Sequence, residues 1–435
     1  LPISGGPNTL VRYAAERVRS TDITATGGNT TLLAGIDAVN LTGNITATNQ
    51  NNNITGFASS GAGVNFTSGN QTLNGLILGR SNTGVGINFS AGVQNFTTAL
   101  GSSTNITGSS NTAAGVRLSA FYNITNTADG NLTVTGSSNT YSGIFATNSA
   151  SIINSGNGTL NVTGNSNDTA NQGINISAGG LTIVNNDTSG SINVFGNASR
   201  GTGNPGQGIW ISNNGINVTA SSSGNTLLNS FSNGSTGGGI TSNGSINLTN
   251  TGSGNLTIAG STSAGGTQGG GLYLPNNTSS LTIINSGNGS ANALFQTNGT
   301  QSGAFFVQNL TIINNGTSGS VLVSGNASSS TQYAAVQVVG FMTLNSSSSG
   351  NVTVQGNDFQ AQGLQVGNLT NITNTGSGAI SVTGSASAGP PPLAAHWRCR
   401  WRRWQACWSH ARLWIVAQRK TQTSKQRIRT RLIFS

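Results

Sequence analysis

One motif recurs along most of the chain: a glycine, an apolar residue, any residue, and a second apolar residue. It reads Gly86-Ile87-Asn88-Phe89, Gly115-Val116-Arg117-Leu118, Gly143-Ile144-Phe145-Ala146 and Gly173-Ile174-Asn175-Ile176. It continues through Gly208-Ile209-Trp210-Ile211, Gly239-Ile240, Gly271-Leu272-Tyr273-Leu274, Gly303-Ala304-Phe305-Phe306, Ala335-Val336-Gln337-Val338 and Gly363-Leu364-Gln365-Val366. The first positions are 29, 28, 30, 35, 31, 32, 32, 32 and 28 residues apart. A period of this size marks a stack of supersecondary units, none of which can bury its apolar face alone.

Two further apolar alternations fall within each period. One follows the glycine motif, as in Leu181-Thr182-Ile183, Ile216-Asn217-Val218 and Leu310-Thr311-Ile312. The other ends in glycine, as in Leu132-Thr133-Val134-Thr135-Gly136 and Leu160-Asn161-Val162-Thr163-Gly164. Alternation with period two is the signature of a strand with one buried face. Between the strands lie stretches such as Asn154-Ser155-Gly156-Asn157-Gly158, whose residue types favour turns. Three short strands per period of about 31 residues predict an all-β fold, a parallel β-helix. A propeller blade would need about 40 residues and four strands. Between Gly27 and Gly384 there is room for about 12 coils, a rod of roughly 60 Å at one strand spacing per coil. Outward Asn and Thr are expected to stack on their counterparts in adjacent coils.

That stacking explains the composition. Charged residues make up 6% of the chain and glycines number 64, while a like charge repeated on every coil would repel its neighbours. Scarce Lys, Glu, Gln and Met argue against an α-rich enzyme. Two cysteines exclude a disulfide scaffold, and seven prolines without a Gly-X-Y period exclude collagen. No apolar run is long enough for a membrane-spanning helix. The formal charge of +10 is unevenly placed. Residues 1–387 hold six arginines and seven acids, giving 6 − 7 = −1, and residues 388–435 hold eleven basic residues and no acid. Three regions follow: an N-terminal leader or cap (1–22), with a short helix expected over Thr9–Ser20; a β-helical array (23–387); and a basic, Trp-rich tail (388–435).

The tail reads at face value as a nucleic-acid- or membrane-binding segment, His396-Trp397-Arg398-Cys399-Arg400-Trp401. Cys399, Cys407, His396 and His410 have spacings that match no common zinc site. Shifted by one base, its Trp, Arg and Cys codons become codons beginning with G, which suit a Gly-rich repeat. The tail is therefore expected to be disordered or the product of a frameshift, and no nucleic-acid partner is inferred from it.

The strands ending in Leu-x-Val-x-Gly, the Asn-Ser-Gly-Asn-Gly turns and the Gly/Asn/Ser/Thr composition resemble the repeat region of filamentous-haemagglutinin-like bacterial exoproteins. These are adhesins of the two-partner secretion or autotransporter type. The resemblance covers about residues 23–387 and lies in repeat style. It implies a right-handed β-helix, secretion or display at the cell surface, an outer-membrane secretion partner, and attachment to glycans or proteins of host cells or surfaces. The family's Asn-Pro-Asn-Gly-Ile secretion motif is absent, and Asn204-Pro205-Gly206 reads as a turn. A chain without an initiator Met or signal peptide is expected to be an internal piece of a longer protein.

Carbohydrate-active enzymes also use β-helices, and a fragment of a polysaccharide lyase or hydrolase is the alternative. Such sites need clustered carboxylates and a base. The body offers Glu16, Asp22, Asp37, Asp129, Asp168, Asp187 and Asp358, with no lysine or histidine. Asp168 and Asp187 stand 19 residues apart, off the period, and read as solvated turn residues. The expectation is a non-enzymatic stalk with no cofactor, no metal and no catalytic residue. Trp210, Tyr273 and Phe305, with Phe306, occupy one repeat motif and form the candidate glycan-contact stripe. Large residues filling wider coils are the other reading. Paired threonines such as Thr133/Thr135 suggest ice binding, but the pairs do not persist along the array. About thirty Asn-x-Ser/Thr sequons arise automatically from Asn-apolar-Thr alternation.

Overall fold

The computed structural model describes residues 53–386, apart from 68–70, 91–93, 98–102, 120–121, 128, 187, 200–205, 234–237, 264–269, 300–302, 329, 331–332 and 361. Beyond these bounds it describes strand backbone between Ile3 and Ala47 and between Trp414 and Phe434. The chain is a parallel β-solenoid. Each coil contributes three strands, so three ladders of parallel strands run along the axis.

One coil shows the plan. Its first strand is Ile144–Ala146, its second Ala150–Asn154 and its third Thr159–Ser166. Each pairs in parallel with the equivalent strand a coil later, at Ile174–Ile176, Leu181–Asn185 and Ser191–Ala198. Like residues stack on like. Leu132, Leu160 and Ile192 form one column, Val134, Val162 and Val194 the next, and Gly136, Gly164 and Gly196 the third. The alternating pattern keeps every second residue buried, and Leu160, Ile192, Ile209, Ile216 and Leu256 are among the fully enclosed members. Each such side chain contributes on the order of 1.5–3 kcal/mol relative to leaving it exposed. Uneven coil lengths do not disturb the register. The 35-residue step from Gly173 to Gly208 is absorbed in the turns, mostly between the third and first strands, and Ile174 still pairs with Ile209.

Glycine ends the apolar part of most third strands because the coil is pinched there. A Cβ at Gly136 would lie 2.2 Å from the Gly143 carbonyl oxygen, and one at Gly143 would lie 2.2 Å from the Asn165 nitrogen. In four successive coils the next inward residue is a serine whose hydroxyl closes the corner. Ser81, Ser110, Ser138 and Ser166 donate to the carbonyls of Gly61, Gly84, Ala113 and Tyr141 at 2.6–2.8 Å. The same hydroxyls accept from the amides of Gly84, Ala113 and Tyr141.

Outward side chains ladder as expected. Asn88 donates to Asn65 at 2.9 Å, Asn193 to Asn161 at 2.9 Å and Asn247 to Asn217 at 2.8 Å. A second amide ladder lies inside the solenoid, where the second strand turns into the third. Asn126, Asn154, Asn185, Asn250, Asn285 and Asn314 are wholly buried. Asn126 donates to Asn154 at 3.0 Å, Asn250 to Asn285 and Asn285 to Asn314 at 3.1 Å. Each amide also caps a turn carbonyl, as Asn154 does with Gly158 at 2.9 Å and Asn185 with Gly190 at 2.8 Å. These residues stand in the inward phase of their strands, so they satisfy the buried polar groups of a tight turn from within.

An aromatic stack fills the interior near the start of the described array. The Phe66 and Phe89 rings lie 4.8 Å apart and nearly parallel, and Tyr122 follows at 4.8 Å. The Tyr122 hydroxyl is buried with no hydrogen-bond partner. Burial pushes its phenol well above 10.0. A raised folded-state pKa gives stability that is fully present below the unfolded value of 10.0 and is lost as pH rises through the folded value. Tyr122→Phe removes an unpartnered hydroxyl and is expected to stabilise the protein by about 1 kcal/mol. Denaturation in urea at pH 7 and pH 11 should show this gain growing in alkali; a destabilised variant would contradict it.

The N-terminal end departs from the sequence-based expectation. In place of a helix over Thr9–Ser20, Asn8–Tyr13 pairs in parallel with Asn29–Ala34, and Val18–Ala25 with Val39–Ala47. Pairing with the next coil overrides the local helix preference of this stretch. In the tail, Ile428–Phe434 runs antiparallel to Ile380–Ala386 and to Trp414–Arg419. His396, Cys399, Cys407 and His410 lie outside the described residues.

Candidate functional site

The middle residue of each first strand points away from the interior, and these residues form one row along the solenoid. Its central part runs Asn175, Trp210, Thr241, Tyr273, Phe306 and Gln337 in register. Trp210, Tyr273 and Phe306 are half-buried members of this row. The Tyr273 and Phe306 rings meet at 5.4 Å with a tilt of 43°. Two strand spacings, about 10 Å, separate Trp210 from Tyr273. Tyr333, 38% exposed, stands close enough that its charge and partial burial of the ring both raise the Tyr273 phenol above 10.0, burial being the larger cause.

Phe305 is not part of this surface. It is fully buried in the interior column between Leu272 and Val336, and its ring lies 5.5 Å from Phe295. In this coil Ala304 precedes the first strand where glycine does in most others, so Gly303 is one residue out of frame. A shift of one residue exchanges the two faces of a strand. Phe306 takes the outward place that the sequence pattern gave to Phe305. The widened interior is made by a paired change: Phe295 stands in the glycine column between Gly260 and Gly325, and Ala304 replaces the facing glycine. Phe305 thus follows the wider-coil reading.

Amides flank the stripe. Ser142 donates to Gln172 at 3.3 Å, Gln172 to Gln207 at 3.0 Å, and Asn175 to Gln172 at 2.8 Å. Asn175 and Thr241, on either side of Trp210, are buried, and neither Asn175 Oδ1 nor Thr241 Oγ1 has a hydrogen-bond partner. The sequence signal for this network is faint, because Gln172 and Gln207 belong to loops whose lengths differ from coil to coil.

The described carboxylates stand apart and bond locally. Asp129 accepts from Asn157 at 2.9 Å, and Asp168 accepts from its neighbours Thr169 and Asn171. Asp358 fills the corner position that holds serine in several earlier coils and alanine in the two flanking ones, accepting the Gln360 amide at 2.9 Å. Asp187 lies outside the described residues, and among the described residues no three His, Cys, Asp or Glu side chains gather as metal ligands. The threonine column Thr107, Thr135, Thr163 ends at Phe195, so it makes no extended flat array.

No protein-family model, curated protein or solved structure matches the chain. Half-buried aromatic faces set among neutral amides and hydroxyls suit a ligand with apolar C–H faces and hydroxyl edges, which is the chemistry of a sugar.

Proposed function

We propose that residues 23–387 form the non-catalytic stalk of a larger secreted or cell-surface exoprotein that attaches cells to glycans or proteins. The observation that carries this reading is the uninterrupted in-register stack from Asn53–Ala58 to Ile380–Ala386. At about 4.8 Å per strand it holds its two ends roughly 50 Å apart. Backbone ladders couple each coil to the next, side-chain ladders reinforce many of these steps, and a stack of this kind acts as a stiff spacer. Delivery through an outer-membrane secretion partner belongs to the same proposal and follows from the resemblance in repeat style.

Within this reading the Trp210, Tyr273 and Phe306 row is a glycan-contact surface. Trp210→Ser combined with Tyr273→Ser should weaken glycan or cell binding about tenfold or more while leaving the circular dichroism unchanged, since both residues face outward. Binding equal to that of the unaltered protein would remove the row from the adhesive surface.

A further inference from the structure

A second feature lies on another edge of the solenoid, where the third strand turns toward the first. The outward row there runs Phe57, Arg80, Ser109 and Ser137 in register. Two residues further along each coil a parallel amide row begins at Asn82 and continues through Asn111 and Asn139. Small serines between these rows leave a groove of about 560 Å3. We propose that this groove binds an acidic oligosaccharide of the uronate class, seating a carboxylate between Arg80 and Asn82 and sugar hydroxyls against Ser109, Ser137 and the amide row.

Direction of donation places the carboxylate. Asn111 donates to Asn82 at 2.7 Å, Asn139 to Asn111 at 2.9 Å and Asn167 to Asn139 at 3.2 Å. The side-chain amides are therefore aligned, and their donor end is the Asn82 NH2, which faces the groove's Arg80 end. Aligned amides polarise one another and favour negative charge at the donor end. Arg80 stands at the same end with its guanidinium 5.7 Å from the Phe57 ring centre, an arrangement that steadies the cation without neutralising it. The described carboxylates are engaged elsewhere: Asp129 accepts from Asn157 of the next coil, while Asp168 and Asp358 bond within their own turns. Arg80 is thus a cation beside aimed N–H donors, which is how carboxylates are recognised.

The rest of the groove selects the ligand class. Its lining has one cation and is otherwise mostly hydroxyls and amides. A nucleic-acid strand would require several cations along its phosphates. An added peptide strand would require a free sheet edge, whereas this strand row is paired on both sides by its neighbouring coils. Many neutral hydrogen-bonding groups and one anion seat fit a hydroxyl-rich chain bearing a carboxylate. The site is separate from the Trp210 row, and its test does not depend on adhesion.

The experiment is calorimetric titration of the full chain with tetragalacturonate and with its carboxyl-reduced counterpart. Tetragalacturonate should bind, and the reduced form should bind about tenfold more weakly. Arg80→Gln should lose about tenfold in affinity, and Arg80→Lys should lose less. Ser109→Leu, which fills the groove floor, should abolish binding with the circular dichroism intact. Absence of binding to the unaltered protein, equal affinity for the reduced form, or full affinity in Arg80→Gln would each overturn the assignment.

Discussion

Asn154→Asp is expected to destabilise the central coils by about 3–5 kcal/mol at neutral pH, the range for a buried charge left without a partner. Asn154 is wholly buried; its NH2 donates to the Gly158 and Ser191 carbonyls and its oxygen accepts from Asn126. A carboxylate keeps the acceptor but loses both donors, and it sets negative charge against two carbonyl oxygens. Burial would hold this acid's proton to higher pH than the unfolded chain's value of about 3.9. The deficit should therefore be smallest near pH 3 and widen as pH rises. Hydrogen exchange should show the loss concentrated in residues 122–198, because coils of a solenoid couple to their nearest neighbours. Unchanged protection at neutral pH would show that the internal amide ladder is dispensable.

Gly136→Ala should cost about 3 kcal/mol, at the upper end of the usual penalty for overfilling a core. The added methyl would lie 2.2 Å from the Gly143 oxygen and 2.8 Å from Ile144 Cγ1, so the two strands would have to separate. Backbone cannot give way as a long side chain can. Gly61→Ala is the internal comparison. A Cβ there meets nothing within 4 Å, and its denaturation midpoint should match that of the unaltered protein. Equal midpoints for both variants would refute the pinch.

Much of this architecture can be read from the chain because period-two alternation and a coil-length repeat are strictly local signals. The glycine motif, the Leu-x-Ile alternation and the Leu-x-Val-x-Gly segment correspond to the first, second and third strands of each coil. Outward asparagines were legible for the same reason. The internal asparagine ladder left a signal that turn chemistry obscured. In Leu181-Thr182-Ile183-Val184-Asn185, the asparagine shares the phase of the buried leucine and isoleucine, yet a Gly/Ser/Asn stretch follows it immediately. At Thr9–Ser20 the local preference pointed to helix, and pairing between coils decided otherwise.

The candidate surfaces were less legible. Trp210 and Tyr273 could be placed outward by alternation, but Phe305 and Phe306 could be assigned only once the frame of Ala304 was known. The Arg80 groove has no sequence signature at all. It brings together residues from successive coils, more than twenty positions apart, whose alignment depends on variable turns. The sequence by itself determined that this chain stacks as a charge-poor, ladder-forming β-solenoid, because repeat period and alternation leave an isolated coil no other way to bury its apolar face. Tertiary structure alone decided which frame each coil adopts, where the interior widens for Phe295 and Phe305, and which outward residues become neighbours, because those depend on register between coils.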